Sequence, residues 1–462
     1  MSEKFAEIEE GGQELGKNND IRKGIHAAIV ILGASGDLAK RKLIPALAKL
    51  HEQNEIDPSS VVIGSGRTDF TDESFRQRFD VHADFLNALH YHKGIPGIKE
   101  YIQSLGSFSR VIFFMALPPS VYAQTAAELS KEGFGAEATL IIEKPFGYDF
   151  ASARELNTEV AQYFDESQIY RIDHYLAKEA VQNILVFRFA NSIFYPVWNS
   201  NYIESIQINA FEEIDVEDRG AYFDSAGMIR DMVQNHLTQL ICLLTMETPV
   251  SLDAEEIRAQ KLNVLKALRV TDCRRFQYNG YHEEKEVVAG SQTETYAEMK
   301  LFIDSFRWNG MPVYIRAGKA LDRKGTEIGI RFKPLPKLLF NKKGDLPPNR
   351  IIFKIQPFAG IVVDLSSKLP GGEMEVADTN LAFCYHRSFE SEIPEAYQKL
   401  LLDSLQGDRT LFVSAEETEM AWKKYEPYLD TGELGFYEKG TVPEAVLAED
   451  WIDFEKYGVL CR

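Results

Sequence analysis

His26-Ala27-Ala28-Ile29-Val30-Ile31-Leu32 is an apolar run of strand length, and Gly33-Ala34-Ser35-Gly36-Asp37-Leu38-Ala39 follows it at once. A helical pattern then runs from about Leu38 to His51, with a kink expected at Pro45. Strand, glycine turn and helix start, in that order, decide the first half of the fold. The glycines let the backbone approach a pyrophosphate, and the helix N-terminus, with unpaired N–H groups and partial positive charge, receives it. The spacing is Gly-x-x-Gly-x-x-Ala, a variant of the commoner Gly-x-Gly-x-x-Gly.

The alternation continues outward from that turn. VVIGS (61–65), RVIFFM (110–115), TLII (139–142) and QIYRI (168–172) read as short buried strands, with helices between them at 121–131 and 151–164. This predicts a doubly wound, Rossmann-like parallel sheet whose ligand lies beyond the carboxyl ends of the strands. The second strand ends Gly64-Ser65-Gly66-Arg67-Thr68. A cation stands where an acid would bind free ribose hydroxyls, so Arg67, with Ser65 and Thr68 as hydroxyl donors, suits a ribose 2′-phosphate. Asp69 is the competing acid.

Three strand ends carry unusual residues: Ala116-Leu117-Pro118-Pro119, Glu143-Lys144-Pro145-Phe146-Gly147, and Asp173-His174-Tyr175-Leu176-Ala177-Lys178. The last packs a carboxylate, an imidazole, a phenol and an ammonium just before a helix start. It reads as a phosphate clamp beside a carboxylate.

After Asn191 the pattern changes to strand-like runs with short connections: 202–212, 293–306, 312–315, 328–332, 351–356 and 360–365. A large, mainly antiparallel sheet with flanking helices at 225–246, 255–269, 396–406 and 415–424 is expected. The first of these helices carries Asp231, Asn235 and His236 in the middle of an apolar sequence, where each needs a partner. His236 is a candidate general base and Asp173 a candidate orienting carboxylate. IRAGKA (315–320) ends a strand in a basic turn, with Lys324 beyond it.

The whole chain has 462 residues, enough for two domains, and a net charge of −19, which argues against a nucleic-acid partner. No apolar run is long enough to span a bilayer. Met1 to Asn19 is polar and acidic, without the h-region of a secretory signal, so a disordered leader (1–24) and a cytoplasmic protein are expected. Cys242, Cys273, Cys384 and Cys461 lie far apart without metal spacing and are expected to be free thiols. The division expected is a dinucleotide domain over 25–172 and a substrate and oligomerisation domain over 173–462.

Taken together, GASGDLAKRKL (33–43), MALPP (115–119), IIEKPFG (141–147), RIDHYLAKE (171–179), RGAYFDSAGMIRDMVQNH (219–236) and IRAGKAL (315–321) resemble the glucose-6-phosphate dehydrogenase family. The resemblance implies oxidation of glucose 6-phosphate at C1 to the lactone, with NADP as hydride acceptor, NAD as the weaker alternative, and no metal. It implies His236 as the base, held by Asp173. Gly33, Ala34, Ser35, Gly36, Asp37, Leu38, Arg67, Glu143 and Lys144 would hold the cofactor. His174, Tyr175 and Lys178 would bind the phosphate, and Lys144, Glu212, Asp231, Lys319 and Lys324 the rest of the substrate. A homodimer or dimer of dimers is implied as well. Two positions depart from the family pattern: Ala177 and Ala221 stand where it has glycine. Arg316 survives from a second, structural NADP site of longer relatives, a site not expected here. The rival readings are a related oxidoreductase acting on another sugar and a catalytically silent nucleotide-binding paralogue.

Overall fold

The computed structural model describes residues 25–336, 346–371, 374–389, 393–444, 447–448 and 450–458. The leader expected at 1–24 lies outside the described residues. Strand β1 (Ala27–Leu32) is buried along its whole length, because it pairs in parallel with β2 (Val61–Gly66) on one side and β4 (Arg110–Met115) on the other. That position explains its unbroken apolar sequence. With β3 (Leu89–Lys93), β5 (Ala138–Ile142) and β6 (Ile169–Ile172), the order is 3-2-1-4-5-6, the doubly wound arrangement. Strand β3, LHYHK, is polar at alternate positions and escapes a search for apolar runs.

The helix after the glycine turn changes winding at the expected kink. Ala39–Leu43 is wound as a π-helix and Ile44–Glu52 as an α-helix, with Pro45 just past the junction, where its missing N–H interrupts the ladder that the Ile44 N–H to Ala39 O bond begins.

The second sheet has nine strands: β7 (Ile203–Phe211), β8 (Leu268–Tyr278), β9 (Tyr296–Ile303), β10 (Pro312–Gly318), β11 (Gly325–Phe332), β12 (Arg350–Gln356), β13 (Gly360–Lys368), β14 (Val376–Cys384) and β16 (Leu434–Tyr437). It is mainly antiparallel, but β10 runs parallel to β7 and β16 parallel to β8. Helices Glu179–Phe189, Thr238–Thr245, Ala254–Ala267 and Ala415–Tyr425 contribute to the core that this sheet builds. At its far end, Leu365 and Leu381 are exposed.

Chain order alone assigned everything after 173 to the second unit. The structure returns part of it: helix Ala396–Gln406 packs on the first core through Leu400, Leu401 and Leu405. Strand β15 (Phe412–Val413) then adds to β6 as an antiparallel edge. Among the described residues no helix is long and apolar enough to cross a membrane. Cys242 and Cys273 are free, but Cys384 is disulfide-bonded, which corrects the expectation of four free thiols. Separation along a chain does not measure distance in the fold.

Candidate active site

The glycine turn is made by backbone contacts. Gly33 has φ +87°, and a Cβ there would lie 2.2 Å from the Ala116 carbonyl oxygen. The turn is therefore pressed against the end of β4 in a way only glycine permits. The N–H groups of Gly33 and Ala34 donate to Ser65 O at 2.8 and 3.0 Å, and Gly36 N–H donates to Gly33 O at 2.9 Å. Asp37 is exposed and pairs with Arg41 at 2.7 Å.

At the end of β2, Arg67 and Thr68 are exposed. Asp69 is engaged by Lys93 at 3.0 Å, which draws the competing acid toward β3. Ser65 departs from expectation: it is buried, and its hydroxyl donates to Gly94 O at 2.9 Å, so it holds the loop after β3. Arg78, which the sequence did not single out, donates to Ser35 O at 2.9 Å with its guanidinium 5.0 Å from the Phe70 ring centre. No local spacing signals that contact.

The crevice is assembled from distant segments. The expected single helix 225–246 is broken at Gly227, whose φ of 68° and ψ of 174° are not helical. A Cβ at Gly227 would meet Glu294 Oε1 at 2.6 Å. That carboxylate accepts the Ile229 N–H at 3.0 Å and starts the next segment, Ile229–Leu237, a nine-residue π-helix. π-windings are rare and concentrate at functional sites. This one carries Asp231, Asn235 and His236.

His236 Nδ1 lies 2.5 Å from Asp173 Oδ1, and both side chains are buried. The same Oδ1 accepts the Tyr175 N–H at 3.0 Å. The imidazole stacks on Tyr175 at 4.4 Å and meets His174 edge-on at 4.5 Å. His236 Nε2 has no hydrogen-bond partner among the described residues. Burial lowers the pKa of His236 against the opposing pull of Asp173, so the ring is neutral at neutral pH. Burial also resists charge on Asp173, but the facing His236 and the Tyr175 N–H outweigh it and hold the carboxyl low, at about 2. Burial lowers the pKa of His174 well below the usual imidazole value.

Around this pair, Lys144 Nζ donates to Asp231 O at 2.8 Å and to Asp231 Oδ1 at 3.1 Å, and Tyr222 OH donates to the same Oδ1 at 3.2 Å. Lys319 is paired with Glu212. Lys178 donates to Gln356 Oε1 and lies 4.4 Å from the Tyr175 ring centre. Burial lowers the pKa of Lys178 to about 8, and the charge of exposed Lys324 acts in the same direction. The Tyr175 hydroxyl lies 3.0 Å from Thr326 Oγ1. Tyr222, Thr326 and Gln356 were not legible in the sequence. Glu143 is half-buried at the end of β5, and desolvation of its carboxyl raises its pKa to about 7 against a hydrogen bond from Tyr397. Asp173, His174 and His236 also bring one possible metal ligand each within 4.8 Å of one another. Two of these atoms' owners already share the Nδ1–Oδ1 bond.

The two departures are accommodated. Ala177 is buried and is not among the described residues with positive φ, so it carries no left-handed strain. Ala221 is exposed, whereas a Cβ on its neighbour Gly220 would meet Lys285 O at 1.9 Å.

A doubly wound sheet with a backbone-made anion turn, opening onto a buried carboxylate–imidazole pair ringed by lysines, defines a two-domain dinucleotide-dependent oxidoreductase. Residues 30–183 match the family model described as "Glucose-6-phosphate dehydrogenase, NAD binding domain", and residues 185–452 match the C-terminal domain of the same family. The chain is 40% identical to glucose-6-phosphate 1-dehydrogenase of Bacillus subtilis, covering 86% of this chain and 89% of that one. It is 39% identical to a cytoplasmic isoform from Arabidopsis thaliana, over 88% of this chain and 87% of that one. A solved glucose-6-phosphate dehydrogenase in complex with its substrate glucose 6-phosphate superposes with a TM-score of 0.86 at 35% identity, over 91% of this chain and 96% of that one. The Mycobacterium avium enzyme superposes with a TM-score of 0.83 at 31% identity, over 93% and 99%. The chain belongs to the glucose-6-phosphate dehydrogenase family.

Proposed function

We propose that this protein oxidises D-glucose 6-phosphate at C1 to 6-phospho-D-glucono-1,5-lactone, the first step of the oxidative pentose phosphate pathway, with NADP preferred over NAD. The observation that carries the reading is the buried His236–Asp173 pair, with Nδ1 committed to the carboxylate and Nε2 uncommitted. A neutral imidazole held this way has one lone pair to offer a proton.

Gly33, Ala34, Ser35, Gly36, Asp37 and Leu38 form the cofactor turn in this reading, with Arg67 at the ribose phosphate and Glu143 and Lys144 toward the crevice. The fit rests on the Gly33 cradle, which a Cβ would fill. When bound, the nicotinamide accepts the hydride from C1. His236 Nε2 takes the C1 hydroxyl proton as the hydride departs, and Asp173 stabilises the imidazolium that results. His174, Tyr175 and Lys178 bind the phosphate, with the start of helix Glu179–Phe189 contributing N–H groups. Lys144, Glu212, Asp231, Lys319 and Lys324 bind the sugar side; the Lys144–Asp231 and Lys319–Glu212 pairs exchange partners with its hydroxyls. No metal takes part in this scheme.

We assign 25–172 to the dinucleotide domain and 173–462 to the substrate domain, with 396–413 docked back on the first. Homodimer formation, or a dimer of dimers, through the β13–β14 end is supported by exposed Leu365 and Leu381. Cytoplasmic residence belongs to the same proposal. The test is a rate measurement with purified protein, each dinucleotide, and glucose 6-phosphate against glucose. Reduction of NADP that requires the phosphorylated sugar is expected; equal rates on glucose overturn the substrate, and no reduction of either coenzyme overturns the activity. Sedimentation checks the dimer, and cell fractionation the compartment.

A further inference from the structure

Beside the Asp173 carboxylate lies a small pocket with about 20 Å³ of room, lined by Lys144, Asp173, Gln234, Asn235, Gln239 and Glu417 among others. One water needs roughly 10–15 Å³ measured this way, together with two to four polar partners. Asp173 supplies one of them. Its Oδ1 is taken by His236 and Tyr175, while Oδ2 is buried with no hydrogen-bond partner among the described residues. A buried carboxylate oxygen without a donor is costly, and a carboxylate that must stay ionised needs one most.

The donors around the cavity are unequally engaged: Lys144 is committed to Asp231 through Nζ at 2.8 and 3.1 Å. Asn235 Nδ2 donates to Arg230 O at 3.0 Å, and Asn235 Oδ1 accepts the His236 N–H. Gln239 accepts from Lys261 at 3.0 Å, and its amide faces Glu417 at 3.4 Å. Glu417 is paired with Lys261 at 2.8 Å, and Thr418 Oγ1 donates to Ser414 O at 3.0 Å. Among the described residues, Gln234 makes no side-chain hydrogen bond. It sits two residues before His236 on the π-helix and lines the same cavity as Asp173.

We propose that Gln234 is a positioning residue, holding one ordered water in this cavity that donates to Asp173 Oδ2 and accepts from the Gln234 amide. The water satisfies the second oxygen, fixes the carboxylate plane toward His236 Nδ1, and spreads the carboxylate charge over both oxygens. With that donor lost, more charge falls on Oδ1, so the imidazole takes a proton at higher pH. This inference rests on the reading of His236 as the base.

The experiment compares Gln234→Met, which keeps length and removes the amide, with wild type and His236→Asn. A high-resolution crystal structure of the wild type accompanies the kinetics. A water within hydrogen-bond distance of both Asp173 Oδ2 and the Gln234 amide is expected. In Gln234→Met, kcat should fall about tenfold, the KM for glucose 6-phosphate should change by less than roughly twofold, and the acid limb of the kcat/KM profile should move to higher pH. No water at Oδ2 overturns the proposal even if the variant does not fold. So does a Gln234→Met enzyme with wild-type kcat and pH profile beside an inactive His236→Asn. Turnover retained by His236→Asn instead overturns the base reading, and the water's role with it.

Discussion

The glycine turn and the imidazole crevice open from the same edge of one sheet but are built from opposite materials. The turn is backbone: Gly33, Ala34 and Gly36 make their contacts through N–H and C=O groups, and the flanking side chains of Asp37 and Arg67 face water. The crevice is side chain: Asp173, His236 and Lys319 are buried, and their partners come from segments far apart in the chain. The turn is sensitive to volume, because an added Cβ has nowhere to go. The crevice is sensitive to charge, because each group there has been taken out of water and is balanced against a neighbour.

The sharpest contrast is expected from His236→Asn, which keeps roughly the same volume and deletes the proposed base. Turnover should fall about 10²- to 10⁴-fold with substrate affinity nearly unchanged. Steady-state rates check this, and near-normal turnover breaks the idea that charge governs the crevice.

Lys178 should come next. Lys178→Ala removes a charged donor from the proposed phosphate site, and kcat/KM for glucose 6-phosphate should drop roughly 10- to 100-fold. Any activity on free glucose should stay level; an equal loss on both sugars would point to structural damage. Lys178 also predicts a pH effect, because burial brings its pKa down to about 8. In the proposed clamp the ammonium is the form that binds phosphate, so in the free enzyme kcat/KM should decline as pH rises past that value. Lys178→Arg, which stays charged, should abolish the decline.

For the turn, Gly33→Ala adds only a methyl group, yet left-handed backbone and contact with Ala116 O should raise the KM for coenzyme by about tenfold or more. Glucose 6-phosphate affinity, measured by binding without coenzyme, should hold. If it falls in step, the two regions are not separable.

The smallest effect is expected at Arg67, which is exposed to solvent and screened by salt. Arg67→Ala should weaken NADP binding by roughly 5- to 10-fold at low ionic strength and leave NAD nearly level. Parallel loss of both coenzymes, or a wild type that favours NAD, makes Arg67 a turn residue.

The same contrast explains what was legible in the sequence. Strand β1 and its turn are contiguous, and burial on both faces of the sheet leaves an unmistakable apolar run, so residues 26–38 could be read directly. His236 and Asp173 were legible because a polar group inside an apolar helix demands a partner. The break at Gly227 was not, because its cause is Glu294, reached only through the fold. A π-winding leaves no distinct period over nine residues. Ser65 was misread for a similar reason: a hydroxyl at a strand end looks available until Gly94 is placed beside it. Thr326, Gln356 and Tyr222 are ordinary polar residues whose importance comes only from what stands next to them.

The return of residues 396–413 to the first sheet bears on how this chain is made. Synthesis delivers β1 to β6 early, and the six parallel strands can form while the rest is still being translated. The β6 edge stays open until Phe412 and Val413 emerge, and so does the apolar surface later covered by Leu400, Leu401 and Leu405. A fragment ending near residue 183 therefore carries the entire nucleotide turn but lacks its last strand and one covering helix. The proposed coenzyme unit is thus completed by residues that follow the second sheet in the chain, and the first half is not a complete folding product alone.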